Sequence, residues 1–203
     1  MRSDRLITPH GEVILVELGD DPGHPDERAH VETLSAHRRR EWIAGRAALR
    51  QLLPAAGGAI LSDDRGAPVV PRGFVASVTH KGALAAAIVA PDTGARLGLD
   101  LELAMPSRFD IARRILTPRE RAQIRDPRDV TLAFSIKEAI YKAVDPFVRR
   151  YVGFQEVDLD VHADGTVVVT SALGLAIEAT WREHDGHWLT TARARGSLST
   201  YAT

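Results

Sequence analysis

RLGLDLEL, residues 96–103, is the stretch whose alternation decides the fold class of the chain. In an extended strand its leucines face one way, and Gly98, Asp100 and Glu102 face the other. The two carboxylates then lie about 6.6 Å apart along the strand and point the same way. Pro106 follows and ends the strand. The pattern predicts a half-buried strand that carries two acids on one face.

Further elements are predicted on both sides of this strand. Those before it are a strand, a long helix that Pro54 and Gly57-Gly58 end, and two short strands: residues 12–18, 25–53, 75–79 and 84–89. Those after it are a helical stretch broken near Thr117-Pro118, a long helix ended by Pro146, and short strands with a turn at Asp164-Gly165: residues 107–124, 130–144 and the remainder. Each half thus has a charged helix and several strands. This echo predicts two similar α+β halves, residues 1–93 and 94–203.

Composition excludes several classes of protein. Of the 203 residues, 44% are hydrophobic, which is enough for a sizeable core, so disorder is not expected. The net charge of −1 favours neither nucleic acid nor a membrane as partner. The chain has no cysteine, which excludes disulfides, thiolate metal sites and cysteine nucleophiles. We find neither a signal peptide after Met1 nor an apolar run of about 18 residues, and we expect a cytoplasmic protein.

The second long helix contains FSIKEAIYKA, residues 134–143. Its apolar positions predict one buried face: Leu132, Ile136, Ala139, Ile140 and Ala143. Lys137, Glu138, Tyr141 and Lys142 are predicted on the other face. Glu138 and Lys142 have the spacing of an ordinary surface pair, which contributes only about 0.3 kcal/mol. However, two lysines flank one carboxylate beside aromatic side chains, a combination that a solvated face seldom carries.

Basic groups recur at two other places. Residues 77–81, SVTHK, put His80 and a lysine at a strand end that would suit an anion, although a lone histidine is more often structural. Residues 38–40 are three arginines, and Arg46 and Arg50 lie one helical turn apart. Each pattern alone has an ordinary structural explanation as a solvated face. The two strand acids are equally compatible with solvent exposure and with a hard cation such as Mg²⁺.

Together and in this order, the patterns resemble the 4′-phosphopantetheinyl transferases. More narrowly, they resemble the short bacterial type that activates enterobactin, surfactin, mycolate and polyketide assembly lines. Residues 134–143 match the family's helix pattern [FW]-S-x-K-E-[AS]-x-[YF]-K-A, and residues 38–46 match its helix pattern R-x-x-E-[FW]-x-x-x-R. Residues 98–102 match the strand pattern G-[IV]-D-x-E except for Leu99, and residues 77–80 match the strand end S-[IL]-[ST]-H except for Val78. The resemblance spans roughly residues 36–160. The two-acid strand alone is a weak signal, whereas the ordered set is specific.

The resemblance implies a Mg²⁺-dependent enzyme that moves the phosphopantetheine arm of coenzyme A onto a serine of an apo acyl or peptidyl carrier protein. The leaving group would be 3′,5′-ADP. The resemblance assigns Mg²⁺ to Asp100, Glu102 and Glu138, and it makes Glu138 the candidate general base. Lys137 and Lys142 would add fixed positive charge at the coenzyme A phosphates.

The coenzyme A contacts are also carried over by motif position. Arg38, Arg46 and His80 would grip the 3′-phosphate, and Arg65 would lie by the adenine end. The implied fold has two pseudo-symmetric halves, each a small antiparallel sheet packed on a long helix, with the active site in the cleft between them. A monomer is expected. The alternatives are another Mg²⁺-dependent enzyme of phosphates, an inactive coenzyme A-binding module of the same fold, and a structural domain with ordinary surface charges.

Overall fold

The structure is a computed structural model that describes residues 3–20, 23–53, 57–107 and 110–196. In these ranges the chain forms nine strands, five α-helices and a short 3₁₀ helix at Phe154–Glu156. The strands are β1 (Ser3–Thr8), β2 (Gly11–Glu17), β3 (Phe74–Lys81), β4 (Leu84–Pro91), β5 (Arg96–Leu103), β6 (Val157–Val161), β7 (Thr166–Ser171), β8 (Leu175–His184) and β9 (His187–Gly196). The helices are α1 (Pro25–Glu32), α2 (Ala36–Leu52), α3 (Ala112–Ile115), α4 (Pro118–Gln123) and α5 (Pro127–Val148).

The strands form two antiparallel sheets, one in each half of the chain. The first sheet has the order β1-β2-β4-β3, and the second has the order β5-β9-β8-β7-β6. The last strand of the first sheet ends at Pro91, and the first strand of the second sheet begins at Arg96. The proposed division between residues 93 and 94 lies in this connection. The predicted α+β class with two antiparallel halves is confirmed.

Three hydrophobic layers hold these elements together. Helix α2 covers one face of the first sheet, with Ala44 and Leu49 against Ile14. Helix α5 covers one face of the second sheet and buries the predicted apolar positions: Leu132, Ile136, Ala139, Ile140 and Ala143. The remaining sheet faces pack on each other, and the leucines of β5 lie in this layer: Leu97, Leu99 and Leu101. β5 is therefore enclosed between the first sheet and α5.

Gly98 allows α5 to lie directly on β5. A β-carbon at this position would be 1.7 Å from the carbonyl oxygen of Ala139, which no side chain could tolerate. The glycine thus brings the backbones of strand and helix close together. As a consequence, the acidic face of β5 lies against the polar residues of α5.

The boundaries of three elements differ from the sequence-based prediction. The single long helix predicted from Pro25 is two helices, because the chain turns at residues 33–35 before α2 begins after Ser35. Pro54, its predicted end, lies outside the described residues. Helix α5 begins earlier, at Pro127, and continues through Pro146 to Val148. Pro146 lies two residues before the helix end, so the helix continues only briefly past the backbone hydrogen bond that this proline removes. β1 is not predicted from the sequence, because its residues are at least partly exposed and its polar and apolar residues alternate only weakly.

Other predicted boundaries are confirmed. Thr117 caps α4, and its side chain and that of Glu120 form a reciprocal capping box. Gly165 has a φ of 91° in the turn between β6 and β7, a conformation that favours glycine. None of the helices that the structure describes is both long and apolar enough to span a membrane.

Candidate active site

A groove lies between the two halves, where β3 meets β5 and α5. Two adjoining clefts of about 530 and 410 Å³ form it, and Gly66, Val78 and Lys142 line both. Six of the residues predicted for the site line these clefts: Arg38, Arg46, Arg65, His80, Asp100 and Lys142. Glu138 lines a third cleft of about 520 Å³, which shares Tyr141 with the first. Both halves therefore contribute to one region.

Asp100 is the most firmly held carboxylate of the groove. It is 6% exposed and accepts hydrogen bonds on both oxygens. Thr79 and Lys142 donate to Oδ1 at 3.2 and 3.0 Å, and Ser135 donates to Oδ2 at 2.8 Å. Thr79 comes from β3, whereas Ser135 and Lys142 come from α5. The first half and the main helix of the second half thus hold the same side chain.

The other two predicted metal ligands interact electrostatically with Asp100. Burial raises the pKa of Glu138, and the charge of Asp100 raises it further, while Lys142 lowers it. Burial also raises the pKa of Glu102, against the effect of its ion pair with Lys81. The charge of Asp100 thus acts on both other acids, and a bound cation would relieve this repulsion. With three carboxylates, the donor set fits a hard divalent cation.

The oxygens of these three acids do not meet at one point. In the part of the chain that the structure describes, one set of three side chains brings its ligand atoms within 4.8 Å of one another: Asp4, His184 and Asp185. That set lies at β1 and at the turn between β8 and β9, outside the groove. A cation shared by all three groove acids would need a side-chain rotation. Glu102, which one ion pair with Lys81 holds, is better able to turn than Asp100, which three donors hold.

Lys142 lies at the centre of the groove. Its Nζ donates to the Leu99 carbonyl oxygen at 2.7 Å and to Asp100 Oδ1 at 3.0 Å. An ammonium group has three N–H donors, so one remains for a ligand. Since Lys142 lines both clefts, that donor can serve an anion in either.

Lys137 does not share the polar face of α5 with Lys142, and this prediction is wrong. Its side chain is fully buried, at 0% exposure. Nζ donates to the carbonyl oxygens of Ile115 and Phe154, both at 2.9 Å, and to Glu120 Oε2 at 2.8 Å. All three donors are used, so contact with a phosphate would require breaking these bonds. Lys137 ties α5 to the segments that carry α3, α4 and the 3₁₀ helix.

Glu41 organises the basic end of the groove. This carboxylate of α2 is 8% exposed, and His37 Nε2, His80 Nδ1 and Arg38 lie 3.0, 2.9 and 3.2 Å from it. Arg38 also lies 3.4 Å from His80 Nε2. Because arginine can only donate, His80 accepts at Nε2 and carries its proton on Nδ1, toward Glu41. Burial lowers the pKa of His80, and the charges of Arg38, Lys142 and His37 add to this against Glu41.

Arg46 lines the same cleft but is committed to the protein. It is 3% exposed, and burial lowers its pKa to about 10. Nε donates to the Ile60 carbonyl oxygen at 2.8 Å, and Nη2 donates to Ser62 Oγ at 2.7 Å. Its guanidinium also stacks 4.2 Å above the Trp42 ring. Arg46 therefore fastens the chain around residue 61 to α2, and its contact with a phosphate stays a prediction.

Arg65 lies at the outer end of the first cleft. Its guanidinium forms a two-pronged ion pair with Asp145 of α5. Close by, Arg149 pairs with Asp64 at 2.8 Å, so the loop of residues 63–67 is joined to the end of α5. The cleft walls beside it are partly apolar. Arg65 would have to share its charge between Asp145 and a ligand.

Several residues of the site were not assigned by the sequence. Glu41 and Ser135 lie inside the matched motifs, and their spacing to charged residues was the available signal. Thr79 lies next to His80 and was read only as part of a strand. Thr190, which contacts Ser135 from β9, lies in the last 40 residues, where only a strand pattern was recognised.

The fold and the groove define a class of protein. Basic side chains line one end of the groove, Asp100 and Lys142 lie beside them, and the aromatic cleft of Glu138 adjoins the groove. This arrangement suits an enzyme that holds a large phosphate ester.

Comparison with known proteins gives the family. Residues 26–90 match the family described as the 4′-phosphopantetheinyl transferase N-terminal domain, and residues 96–197 match the 4′-phosphopantetheinyl transferase superfamily. The 4′-phosphopantetheinyl transferase Npt of Nocardia iowensis is 33% identical over 154 residues, covering 71% of this chain and 69% of that protein. PptT of Mycobacterium tuberculosis is 32% identical over 170 residues, covering 76% and 74%. Svp of Streptomyces mobaraensis is 33% identical over 172 residues, covering 78% and 69%.

The chain therefore belongs to the 4′-phosphopantetheinyl transferase superfamily, a family of enzymes. The family predicted from the ordered motifs is confirmed.

Proposed function

We propose that this enzyme transfers the 4′-phosphopantetheine group of coenzyme A to a serine of an apo acyl or peptidyl carrier protein and releases 3′,5′-ADP. The observation that carries the proposal is the position of Lys142. It contacts Asp100 and lines both clefts of the groove, so one ammonium group connects the basic end with the acids. A pyrophosphate bound there would lie between an anion site and a cation site.

The phosphates would be held by side chains of both halves. Lys142 would donate its remaining N–H to the phosphate, and Arg38 and His80 would bind the 3′-phosphate at the Glu41 end of the groove. When bound by Asp100, Glu102 and Glu138, Mg²⁺ supplies charge neutralisation at the phosphate oxygens. We keep Arg65 as the candidate for the adenine end, in competition with Asp145.

Glu138 is the candidate general base. Burial raises the pKa of Glu138, which makes its carboxylate a stronger proton acceptor. It lines the cleft of Phe134, Tyr141 and Phe154, which is open to an incoming side chain. The serine oxygen would form a bond to the phosphorus that carries the pantetheine arm while its proton passes to Glu138. The bond from that phosphorus to the leaving 3′,5′-ADP breaks in the same displacement, and no covalent enzyme intermediate is required.

The test is intact-mass spectrometry of a panel of apo carrier proteins incubated with coenzyme A, Mg²⁺ and the enzyme. We expect a mass gain of one phosphopantetheine group that is lost when the acceptor serine is replaced by alanine. Glu138→Gln should lower the rate at least about 100-fold, since general-base catalysis contributes on that order. Glu156→Gln is the matched control, because Glu156 is paired with Arg150 outside the groove and should not affect the rate. Coenzyme A binding without transfer to any carrier would favour the inactive binding module.

The remaining parts of the proposal concern the oligomeric state of the enzyme and its location in the cell. A single chain supplies both walls of the groove, which supports a monomer as the active form. We propose the cytoplasm as the location because both proposed substrates are intracellular. Sedimentation equilibrium at enzyme concentrations used for transfer would test the first point.

A further inference from the structure

Hydroxyl groups from two elements of the second half lie behind Asp100. Ser135 Oγ donates to Asp100 Oδ2 at 2.8 Å. Thr190 Oγ1, from β9, lies 3.0 Å from Ser135 Oγ and 3.0 Å from the Ser135 carbonyl oxygen. Both residues are fully buried, at 0% exposure. Through them β9, in the part of the chain without an assigned role, is connected to the groove.

The direction of these hydrogen bonds follows from proton accounting. An ionised carboxylate can only accept, so the single hydroxyl proton of Ser135 points to Asp100. Ser135 Oγ can then only accept from Thr190, whose single proton is shared among Ser135 Oγ, the Ser135 carbonyl oxygen and, at 3.5 Å, the Asp100 carbonyl oxygen. Thr190 thus holds Ser135 by both oxygens, and the proton of Ser135 fixes one oxygen of Asp100.

The acceptor sites of Asp100 are nearly filled by these donors. A carboxylate has about four lone-pair directions, two on each oxygen. Thr79 and Lys142 take both directions on Oδ1, and Ser135 takes one on Oδ2. Among the described residues this leaves one direction, on Oδ2, for a ligand in the cleft that Asp100 lines.

We propose that Thr190 is a positioning residue that acts through Ser135 to fix the orientation in which Asp100 receives its divalent cation. The inference rests on the proposed function, which gives Asp100 a cation to hold. A buried threonine could be replaced by valine of nearly the same shape without loss of packing. The hydroxyl proton is therefore the part of Thr190 that the site uses.

The next residue of β9 provides a matched control. Thr191 is 2% exposed and also makes hydroxyl hydrogen bonds, at 2.8 Å to His10 and at 2.9 Å to Thr180. Its side chain points to the opposite face of β9, away from α5. Thr190→Val and Thr191→Val therefore remove the same atom type from the same strand at equal burial. Only the first change alters the support of Asp100.

The experiment measures Mn²⁺ binding to the enzyme–coenzyme A complex by electron paramagnetic resonance, together with the Mg²⁺ dependence of transfer. Thr190→Val should weaken Mn²⁺ binding about 2- to 12-fold, the range of one neutral hydrogen bond, and raise the Mg²⁺ requirement to match. Coenzyme A affinity measured in EDTA should not change. Thr191→Val should leave both metal measurements at the wild-type value, and Thr190→Ser, which keeps the hydroxyl, should restore them.

Two results would overturn the proposal. One is an equal effect of Thr190→Val and Thr191→Val on Mn²⁺ binding. The other is a Thr190→Val enzyme with a lower melting temperature and unchanged metal binding. If Thr190→Val does not fold, Ser135→Ala and Thr190→Ser decide in the same way, with weakened binding expected only for the first. Failure of the proposed function is a separate result, because the wild-type enzyme would then transfer no phosphopantetheine to any carrier.

Discussion

Lys137→Met tests whether this lysine supports the fold or contacts the substrate. The change removes an ammonium group that binds Glu120 and two backbone carbonyl groups in a site with 0% exposure. Glu120 is 4% exposed and would remain as a buried carboxylate without its cation. Loss of one partner of a buried ion pair costs about 3–5 kcal/mol. That is a large part of the total stability of a domain, about 5–15 kcal/mol.

Urea denaturation followed by circular dichroism gives the free energy of unfolding. Lys137→Met should lower it by about 3–5 kcal/mol. Adding Glu120→Gln should recover part of the loss, because the uncompensated charge is the main cost. The amide oxygen of the variant could still accept from the Leu159 amide, which lies 2.8 Å from Glu120 Oε1, but the Thr117 amide, 2.7 Å from Oε2, would lose its acceptor, so the recovery is only partial. Lys142→Met is the comparison on the same helix. It should lower turnover and also cost some stability, because Asp100 is buried, but less than Lys137→Met, because the Lys142 side chain is 32% exposed and water can take part of its place.

Amine labelling gives a second measurement that does not depend on stability. The chain has three lysines, Lys81, Lys137 and Lys142, so each can be followed by mass spectrometry. We expect Lys137 to resist labelling with and without coenzyme A, and Lys142 to become protected when coenzyme A binds. Labelling of Lys137 in the free enzyme, followed by protection with coenzyme A, would refute the buried position. So would Lys137→Met with wild-type stability and no coenzyme A binding.

Two further predictions concern the ligands. His80→Gln should weaken binding of coenzyme A but not of its 3′-dephospho form. In titration calorimetry the affinity difference between wild type and variant should grow as pH falls below 6.5, because the pKa of His80 is lowered and a phosphate favours its protonated form. Equal losses of affinity for both ligands would mean that His80 does not contact the 3′-phosphate. Reversing Arg113 and Arg114 together to Glu should raise KM for an acidic carrier protein severalfold and flatten its salt dependence, since Arg114 lines the cleft of Glu138. Arg149→Glu and Arg150→Glu should have smaller effects, because both arginines already form ion pairs, and a KM unmoved by either pair of reversals would place carrier docking elsewhere.

The sequence predicted those parts of the fold that depend on a local period. The leucines of β5 and the apolar positions of α5 recur at the strand and helix periods, and all but the terminal Leu103 are buried as expected. Whether a helix continues or breaks was less predictable. At residues 33–35 the chain turns without proline or glycine, so the sequence gives no strong signal for the break between α1 and α2. At Pro146 the opposite occurs: the helix continues for two residues past a proline, although proline removes a backbone hydrogen bond and usually ends a helix.

The position of Lys137 could have been inferred from its neighbours on the helix. Ala133, Ile140 and Val144 lie at four residues before it and three and seven after it, and all three are buried. These spacings place Lys137 on the apolar side of α5. The prediction of an exposed Lys137 followed its charge and not the positions of these apolar neighbours. Long polar side chains on a buried stripe imply an internal partner, and here that partner is Glu120, 17 residues away in the sequence.

The candidate site shows why motif residues alone do not give a mechanism. Asp100 and Glu102 were assigned as a pair because they share a face of β5, yet the structure holds them differently. Asp100 is fixed by hydroxyl groups and Lys142, whereas Glu102 has an ion pair with Lys81 at the end of β3. Such pairings depend on which strands and helices meet in space, and no spacing within one segment records them. The two acids are therefore held to different degrees, and in the proposed mechanism the more rigid one would fix where a cation and its phosphate lie.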